Sequence, residues 1–247
     1  MTASALAVER LTVRFGGIVA LAGVSLTVRQ GSRHGILGPN GSGKTTLFNA
    51  ITGMVTPQSG RVTLTGRDIS RLAPHARVRL GLARTFQITS LFPTLSAREN
   101  VLLATLPALG HHRNPWRRGL RDHEAVQRAD ALLRTLGLER LADRPVASLG
   151  YGEQRQLEIA VALATRPRVL LLDEPTAGLS AAETAGIVSL IRSLPPDLTL
   201  VLIEHDLGVV FDLADHLTVL AHGERIADGP AAVVRDDPVV KEAYLGG

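Results

Sequence analysis

The sequence predicts an α/β fold, in which a mixed, largely parallel sheet is accompanied by an antiparallel β subdomain and an α-helical subdomain. Short runs of valine, leucine and threonine, such as Leu6 to Phe15, alternate with turns in the first part of the chain, which is typical of antiparallel strands. From about 74 to 165 the apolar residues follow a helical period. The continuous apolar runs Arg168 to Asp173 and Leu198 to Ile203 indicate parallel strands buried on both faces.

The predicted elements follow a simple order along the chain. The candidate antiparallel strands, with turn residues near their ends, are Leu6 to Phe15, Val24 to Val28 and Arg61 to Leu64. Ala125 to Leu136 is a helix by its pattern, and Ala181 to Leu194 is expected to cross over between the two parallel strands. We therefore expect one domain over 1–247, with residues 1–87 and 166–247 forming the α/β core and its β subdomain, and about 88–165 the helical subdomain.

Composition excludes several classes of protein. The 247 residues are 45% hydrophobic and 20% charged, an ordinary balance for a globular protein, and they contain no cysteine, so disulfides and thiolate metal sites are excluded. No apolar run approaches the roughly 18 residues that span a bilayer. The first ten residues also lack the basic start and apolar core of a signal peptide. These features favour a cytoplasmic location.

The net charge of +4 does not indicate a nucleic-acid partner. The arginines are scattered among 23 acidic residues, and aromatic residues make up only 3% of the chain. Proteins that bind nucleic acid usually concentrate their basic residues in a patch or stripe, often with aromatic residues on which bases stack. We expect no nucleic-acid partner.

One lysine lies in a glycine-rich run that predicts phosphate binding. All but two of the 27 basic residues are arginine. One of the two lysines is Lys44. It is preceded by Gly38, Pro39, Asn40, Gly41, Ser42 and Gly43 and is followed by Thr45 and Thr46. The spacing fits the P-loop, whose backbone N–H groups surround phosphates while the lysine reaches the terminal ones. Lysine offers a compact point charge, whereas arginine offers a wide planar fork. A nucleotide is therefore the expected ligand.

The context of this run fits the same interpretation. Arg33 to Leu37 is a short predicted strand before the loop, and Lys44 to Thr52 is a predicted helix after it, with Leu47, Phe48 and Ile51 on its apolar stripe. Gly53 is well placed to end the helix. A phosphate in the loop would lie at a helix N-terminus, where the dipole and the unpaired N–H groups favour an anion.

Two acidic residues at the end of a predicted strand form the second motif that indicates nucleotide binding. The apolar run Leu170 to Leu172 leads into Asp173 and Glu174. Asp173 can hold Mg²⁺, through water, while the hydroxyl of Thr45 ligates the ion directly. Glu174 is then placed to polarise the attacking water as a general base. The sequence thus predicts hydrolysis of a nucleoside triphosphate with Mg²⁺, although a P-loop alone also fits kinases, GTPases, helicases and many ATPases.

A further glycine-containing stretch precedes these acids by about 20 residues and opens a predicted helix: Leu149, Gly150, Tyr151, Gly152, Glu153 and Gln154. Here the chain resembles the ATP-binding cassette (ABC) family, whose signature LSGGQ stands at this spacing. In that family the signature of one subunit covers the γ-phosphate held by the P-loop of the other. Gly150 stands where the family has serine and Tyr151 where it has the first glycine, so backbone amides would have to carry the phosphate contact.

The resemblance extends to other family positions in order along the chain. Gln87 stands where the Q-loop glutamine meets Mg²⁺, and His205 resembles the switch histidine that contacts the γ-phosphate and orients water. Phe15 occupies the position of the aromatic residue that stacks on adenine, although it could instead be a core residue. Ser180 replaces the aspartate that usually ends the D-loop, so it keeps a polar contact without the charge.

Outside the ATP motifs the chain resembles the ATPases of branched-chain amino acid importers. The similar segments are Phe15-Gly16-Gly17, Arg84 to Gln87, Leu91 to Ser96, Tyr151-Gly152 and Tyr244-Leu245-Gly246. Such importers pair two ATPases with two membrane permeases and an external solute-binding protein, which places this chain on the inner face of the cell membrane. The resemblance suggests a heterodimer with a related ATPase, although two copies of this chain are an alternative.

Other functions stay open at this point. The ATPase of lipopolysaccharide export shares the C-terminal tail but usually keeps the serine–glycine signature, and a soluble ABC ATPase would act without a membrane partner. Leu91, Phe92 and Leu95 are expected either to dock a permease helix or to pack the helical subdomain. The arginine-rich insertion at about 107–124, with Trp116, is either a solvated segment or a contact to the membrane surface.

Overall fold

The computed structural model describes residues 3–85, 91–108 and 122–245, which form two compact units. The first unit contains the residues up to 84 together with 168–174 and those from 194 onward, and the second contains 85–167 and 175–193.

Ten strands occur in the described residues: β1 (Ser4–Phe15), β2 (Ile18–Arg29), β3 (Arg33–Leu37), β4 (Ser59–Leu64), β5 (Arg67–Asp68), β6 (Leu82–Arg84), β7 (Val169–Asp173), β8 (Thr199–Ile203), β9 (His216–Ala221) and β10 (Glu224–Pro230). The described α-helices are α1 (Lys44–Thr52), α2 (Pro74–Arg79), α3 (Ala97–Ala108), α4 (His123–Thr135), α5 (Tyr151–Ala164), α6 (Ala181–Ser193), α7 (Leu207–Leu213), α8 (Ala231–Val234) and α9 (Pro238–Leu245). None of them is long and apolar enough to cross a membrane.

A four-stranded antiparallel sheet in the order β2-β1-β4-β5 forms the β subdomain of the first unit. It contains the three predicted antiparallel strands, each longer than the sequence pattern indicated. Strands β1 and β2 form a hairpin whose turn includes Gly16 at a positive φ of 58°. Alternate residues of both strands are buried, because one face of the sheet packs on the core.

A six-stranded sheet in the order β10-β9-β3-β8-β7-β6 forms the α/β core. Strand β3 pairs in parallel with both β9 and β8, and β8 pairs in parallel with β7. Every residue of β7 and β8 is buried, which confirms the prediction of parallel strands covered on both faces. The strand that precedes the glycine-rich loop therefore lies inside this sheet.

Strands β5, β6, β9 and β10 were not predicted, and β6 lies where the sequence pattern indicated a helix. The helical interpretation of 74–165 was wrong at Leu82–Arg84, which is strand β6 and pairs in parallel with β7 at the edge of the sheet. The carbonyl of Gly81 accepts hydrogen bonds from the N–H groups of Arg168 and Val169 at 2.7 and 3.0 Å. Three residues are too few to show a strand period, and the partners lie far away in the chain, so only tertiary pairing reveals this strand.

The helix after the glycine-rich loop has the predicted bounds and the predicted buried face. Helix α1 buries Leu47, Phe48 and Ile51. It ends at Gly53, whose φ is 81° and whose N–H points to the carbonyl groups of Ala50 and Asn49. Glycine adopts this left-handed conformation without the steric penalty of a Cβ atom, which explains its place at the helix end.

Three of the helices in the second unit share one hydrophobic core. Helices α3, α4 and α5 share a core that includes Leu102, Leu106, Leu133 and Leu157. Helix α4 begins two residues before the predicted start, because the Oδ1 atom of Asp122 accepts from the N–H groups of Glu124 and Ala125. The helix carries its buried residues on one face, as expected for an amphipathic helix.

A buried arginine closes the C-terminal end of α1. Arg77 donates hydrogen bonds to the carbonyl oxygens of Ala50 and Ile51 at 2.8 and 2.6 Å, and to those of Ser70 and Leu72. A cation at a helix C-terminus is also favoured by the helix dipole. Arg77 thus satisfies carbonyl groups that the helix itself leaves without partners.

We expect Arg77→Met to lower the melting temperature by about 5–10 °C, since it leaves several buried carbonyl groups unsatisfied. The matched control is Arg79→Met, which changes an exposed arginine of the same helix and should shift the melting temperature by no more than about 2 °C. Thermal unfolding followed by circular dichroism measures both. Equal melting temperatures for the two variants would contradict the capping role.

Candidate functional site

The parallel sheet gathers three chain segments at one edge. Strands β3, β8 and β7 are neighbours in the sheet and run in the same direction. The glycine-rich loop follows β3, His205 follows β8, and Glu174 follows β7. Because the carboxyl ends of parallel strands meet at one edge, these segments lie together in the first unit.

The glycine-rich loop needs glycine at two positions. A Cβ atom on Gly38 would lie 2.2 Å from the carbonyl oxygen of Leu220, and one on Gly43 would lie 2.7 Å from the carbonyl oxygen of Ala20. Both residues have positive φ values, 151° and 101°. The backbone could not pass so close to its neighbours with any side chain at these positions.

The loop and the start of α1 suit an anion. Helix α1 has no side-chain cap at Gly43, so the N–H groups of Lys44, Thr45 and Thr46 have no partner within the helix. The Oγ atom of Ser42 is buried and has no hydrogen-bond partner among the described residues. Unpaired donors at a helix N-terminus form the usual site for a phosphate group. These observations fit the nucleotide that the sequence predicts.

Lys44 is held inside the loop. Its Nζ atom donates to the carbonyl oxygens of Gly38 and Pro39 at 2.7 and 3.0 Å. Burial lowers the pKa of Lys44, while the nearby carboxylates of Glu174 and Asp173 act in the opposite direction. An ammonium group has three donors, so two contacts to the loop leave capacity for a phosphate oxygen.

Asp173 is engaged by an arginine that the sequence analysis did not assign to the site. The guanidinium of Arg84 lies 2.5 Å from Oδ2 of Asp173, and both side chains are buried. Arg84 also donates to Oδ1 of Asn49 at 2.7 Å and lies over the ring of Phe48. The pair is 89 residues apart in the chain, so no local pattern could reveal it.

Two of the three residues predicted to bind Mg²⁺ lie in the described part of the chain. Thr45 is exposed at the start of α1, and Asp173 ends β7 with its carboxylate near Lys44. Gln87, the third predicted ligand, lies outside the described residues. Within those residues no group of three or more His, Asp or Glu side chains could hold a metal ion by itself. The hydroxyl of Thr45 and the carboxylate of Asp173 are oxygen donors of the kind that Mg²⁺ takes together with phosphate oxygens.

Glu174 and His205 are in direct contact. The Nε2 atom of His205 lies 2.5 Å from Oε1 of Glu174. An ionised carboxylate can only accept, so Nε2–H is the donor. Glu174 has a positive φ of 47°, unusual for a residue with a side chain, and its N–H bonds to the carbonyl of Ile203 at 2.9 Å. Such strained backbone is common where a side chain must be aimed at a reaction.

The signature stretch begins α5 in the second unit. Gly150 is the N-cap residue, and its N–H donates to Oε2 of Glu153 at 3.1 Å. Burial opposes ionisation of Glu153, but this bond and the ion pair with Arg140 lower its pKa overall. The side-chain amide of Gln154 donates to the carbonyl of Leu149 at 3.0 Å. Without the family serine, the helix start is therefore stabilised by Glu153.

Tyr151 is fixed in one position. Arg155 donates to its hydroxyl at 2.7 Å, lies 5.1 Å from the centre of its ring, and pairs with Glu158 at 2.8 Å. A Cβ atom on Gly178 would lie 3.4 Å from the tyrosine ring. Tyr151 remains 44% exposed. A tyrosine where the family has glycine is thus accommodated by an arginine one turn along the same helix.

Phe15 and Ser180, which the family resemblance singled out, differ in their exposure and contacts. Phe15 is 51% exposed at the β1–β2 turn, so it is not a core residue. Ser180 donates to Oε2 of Glu183 at 2.7 Å and caps helix α6.

Leu91 is buried in the helical core, whereas its neighbour Phe92 is 51% exposed. The expected apolar cluster is therefore divided, with only part of it on the surface. Most of the insertion at 107–124 lies outside the described residues.

Family models match two parts of the chain. Residues 21–177 match the ABC transporter model, and residues 224–247 match a model named branched-chain amino acid ATP-binding cassette transporter. The first match includes the glycine-rich loop, the signature stretch and the two acids, and the second covers the C-terminal tail.

Similar proteins match along the whole chain. The high-affinity branched-chain amino acid transport ATP-binding protein BraF of Pseudomonas aeruginosa is 42% identical, covering 100% of this chain and 99% of its own length. LivG of Salmonella typhimurium, of the same description, is 40% identical with the same coverage. A solved ATP-binding cassette of an ABC transporter in its ADP conformation has a TM-score of 0.87 and 33% identity, and covers 100% of both chains.

A dimeric ATP-binding cassette in a post-hydrolysis state, bound to ADP and phosphate, has a TM-score of 0.75 and 28% identity over 92% of this chain and 98% of its own. The fold, the grouped nucleotide motifs and these matches agree. The chain belongs to the ABC transporter family, as an ATP-hydrolysing cassette with the fold of the P-loop ABC ATPases.

Proposed function

We propose that this chain hydrolyses ATP as a subunit of an importer of branched-chain or similar hydrophobic amino acids. The proposal rests on the contact between Glu174 and His205 beside the loop of Lys44, because a candidate general base lies there next to a candidate phosphate site. The relatives BraF and LivG, which are described as branched-chain amino acid transport ATP-binding proteins, support the substrate class.

Each site residue has a proposed role. Lys44, the loop amides and the N-terminus of α1 bind the phosphates, and Phe15 stacks on the adenine. Glu174 accepts a proton from the attacking water, and His205 orients that water and holds the carboxylate in place. Mg²⁺ would be held by Thr45, Asp173 and Gln87, and when bound it supplies positive charge to the phosphate oxygens.

The working assembly is proposed to contain two cassettes. The stretch Leu149 to Gln154 of one subunit would cover the ATP held by the other, with the N-terminus of α5 directed at the γ-phosphate. Two membrane permeases and an external solute-binding protein complete the importer, which places this chain in the cytoplasm on the inner face of the membrane. The related dimeric cassette supports the pairing of subunits.

Glu174→Gln should retain ATP binding but lower the hydrolysis rate by about 10²- to 10⁴-fold, because an amide cannot accept the proton from water. The variant should also accumulate as a closed dimer in ATP. Phosphate release and size-exclusion chromatography measure the two effects. Glu224→Gln, at an exposed site on β10, is the control and should turn over normally. Normal turnover by Glu174→Gln would remove this residue from the role of base.

Lys44→Ala should weaken ATP binding by about 10- to 100-fold, since a charge-assisted contact to phosphate is lost. The only other lysine provides the control: Lys241→Ala changes an exposed side chain that pairs with Asp236 at 3.4 Å. Titration with a fluorescent ATP analogue measures both affinities. Unchanged affinity in the Lys44 variant would refute the phosphate-binding role of the loop.

The assembly can be tested by affinity purification of the tagged chain from gently solubilised native membranes, followed by identification of the proteins that accompany it. We expect permease subunits and a second cassette. Recovery of ribosomes or DNA-associated proteins without a membrane partner would overturn the transporter function and leave an ATPase of another kind.

A further inference from the structure

A tyrosine near the C-terminus contacts the start of the phosphate-binding loop. The N–H group of Gly38 donates to the hydroxyl oxygen of Tyr244 at 2.8 Å, although the two residues are 206 positions apart. Gly38 is the first glycine of the loop, and Tyr244 lies in the last turn of α9. Neither the nucleotide motifs nor the roles proposed above assign a function to this contact.

Gly38 is the residue at which the loop leaves the sheet, and it is held on several sides. Its carbonyl oxygen accepts from Nζ of Lys44 at 2.7 Å, so the same residue contacts both Tyr244 and the lysine. A Cβ atom on Gly38 would lie 2.2 Å from the carbonyl oxygen of Leu220, which shows how little space surrounds it. A rotation of this residue would therefore also displace the carbonyl group that positions Lys44.

A neutral hydroxyl is a suitable hydrogen-bond acceptor beside the phosphate-binding loop. Burial raises the pKa of Tyr244, and the hydrogen bond from Gly38 only partly opposes this, so the hydroxyl stays neutral. A neutral oxygen can accept from the loop amide without placing negative charge beside a phosphate site. A negatively charged acceptor at this point would repel the nucleotide phosphates.

The helix that carries Tyr244 has contacts besides the one to the loop. Oδ1 of Asp237 accepts from the N–H of Val239 at 2.9 Å at the start of α9, and Val240 is buried. The hydroxyl of Tyr244 is therefore one of several features that fix this helix.

We propose that Tyr244 is a positioning residue for the phosphate-binding loop: its hydroxyl orients the Gly38 peptide and, through the carbonyl of Gly38, the ammonium group of Lys44. The C-terminal helix thereby sets the affinity of the site for nucleotide. The inference rests on the nucleotide site proposed above, but it concerns binding affinity and not the chemical step.

The test is Tyr244→Phe, which removes the hydroxyl and keeps the ring. Titration with a fluorescent ATP analogue should give a dissociation constant about three- to tenfold higher than that of the wild type. The kcat for ATP hydrolysis should change less than about twofold, because the hydroxyl does not touch the reacting atoms. Val239→Ala, at an exposed site on the same helix, is the matched control and should bind like the wild type.

Two further measurements separate positioning from packing. Hydrogen–deuterium exchange of the peptide that contains Gly38 should be faster in Tyr244→Phe, since its N–H loses its acceptor. The melting temperature without nucleotide should fall by less than about 2 °C. An unchanged dissociation constant would overturn the proposal. So would weaker binding accompanied by a large loss of thermal stability and unchanged exchange at Gly38, since the ring packing would then be responsible.

The outcomes also distinguish this inference from the proposed function. Failure of the wild-type chain to bind the ATP analogue would refute the nucleotide site itself. Equal binding by the wild type and Tyr244→Phe would refute only the role of the tyrosine.

Discussion

Parallel pairing of β3, β8 and β7 is the constraint on which the site depends. Strand β3 lies beside β8 and β8 beside β7, so the chain segments that leave these strands emerge at one edge. The register brings Ile36 opposite Ile203 and Asp173 opposite Ile203, which places the ends of the three strands at the same level. A shift of one residue would turn each side chain of a strand to the other face. The contacts of Lys44, Glu174 and His205 therefore all follow from this pairing.

The charges at this edge balance one another. Lys44 lies near two carboxylates, one of which is paired with Arg84, and the other bonds to His205. Removing a charged group from water is costly unless an opposite charge or hydrogen bonds compensate it. Arg84 joins Asp173 to Asn49 of α1, so the strand that bears the acids and the helix that follows the loop are connected through one side chain. The same groups that stabilise this edge thus fix the positions of Lys44, Asp173 and Glu174.

Gly150 and Tyr151, the two departures from LSGGQ, make their contacts within their own helix. Gly150 has no side chain to accept from the N–H groups of the first turn of α5, whereas its own N–H donates to the carboxylate of Glu153. Tyr151 has a hydroxyl contact and a stacked guanidinium from Arg155. These contacts lie within one turn of a single helix, where residues three and four positions apart are neighbours. The tyrosine at the second departure from LSGGQ therefore has contacts of its own, and the helix N-terminus that would face a phosphate is retained.

The sequence by itself determined the local elements and the nucleotide motifs. The bounds of β3 and α1, the buried parallel strands and the glycine at the end of α1 follow from periodicity and from the steric properties of glycine, which act over a few residues. Only the tertiary structure decided that Leu82–Arg84 is a strand, that Arg84 pairs with Asp173, and that Tyr244 accepts from Gly38. Those features join residues that are distant in the chain, and no local pattern specifies which distant groups the fold will bring together.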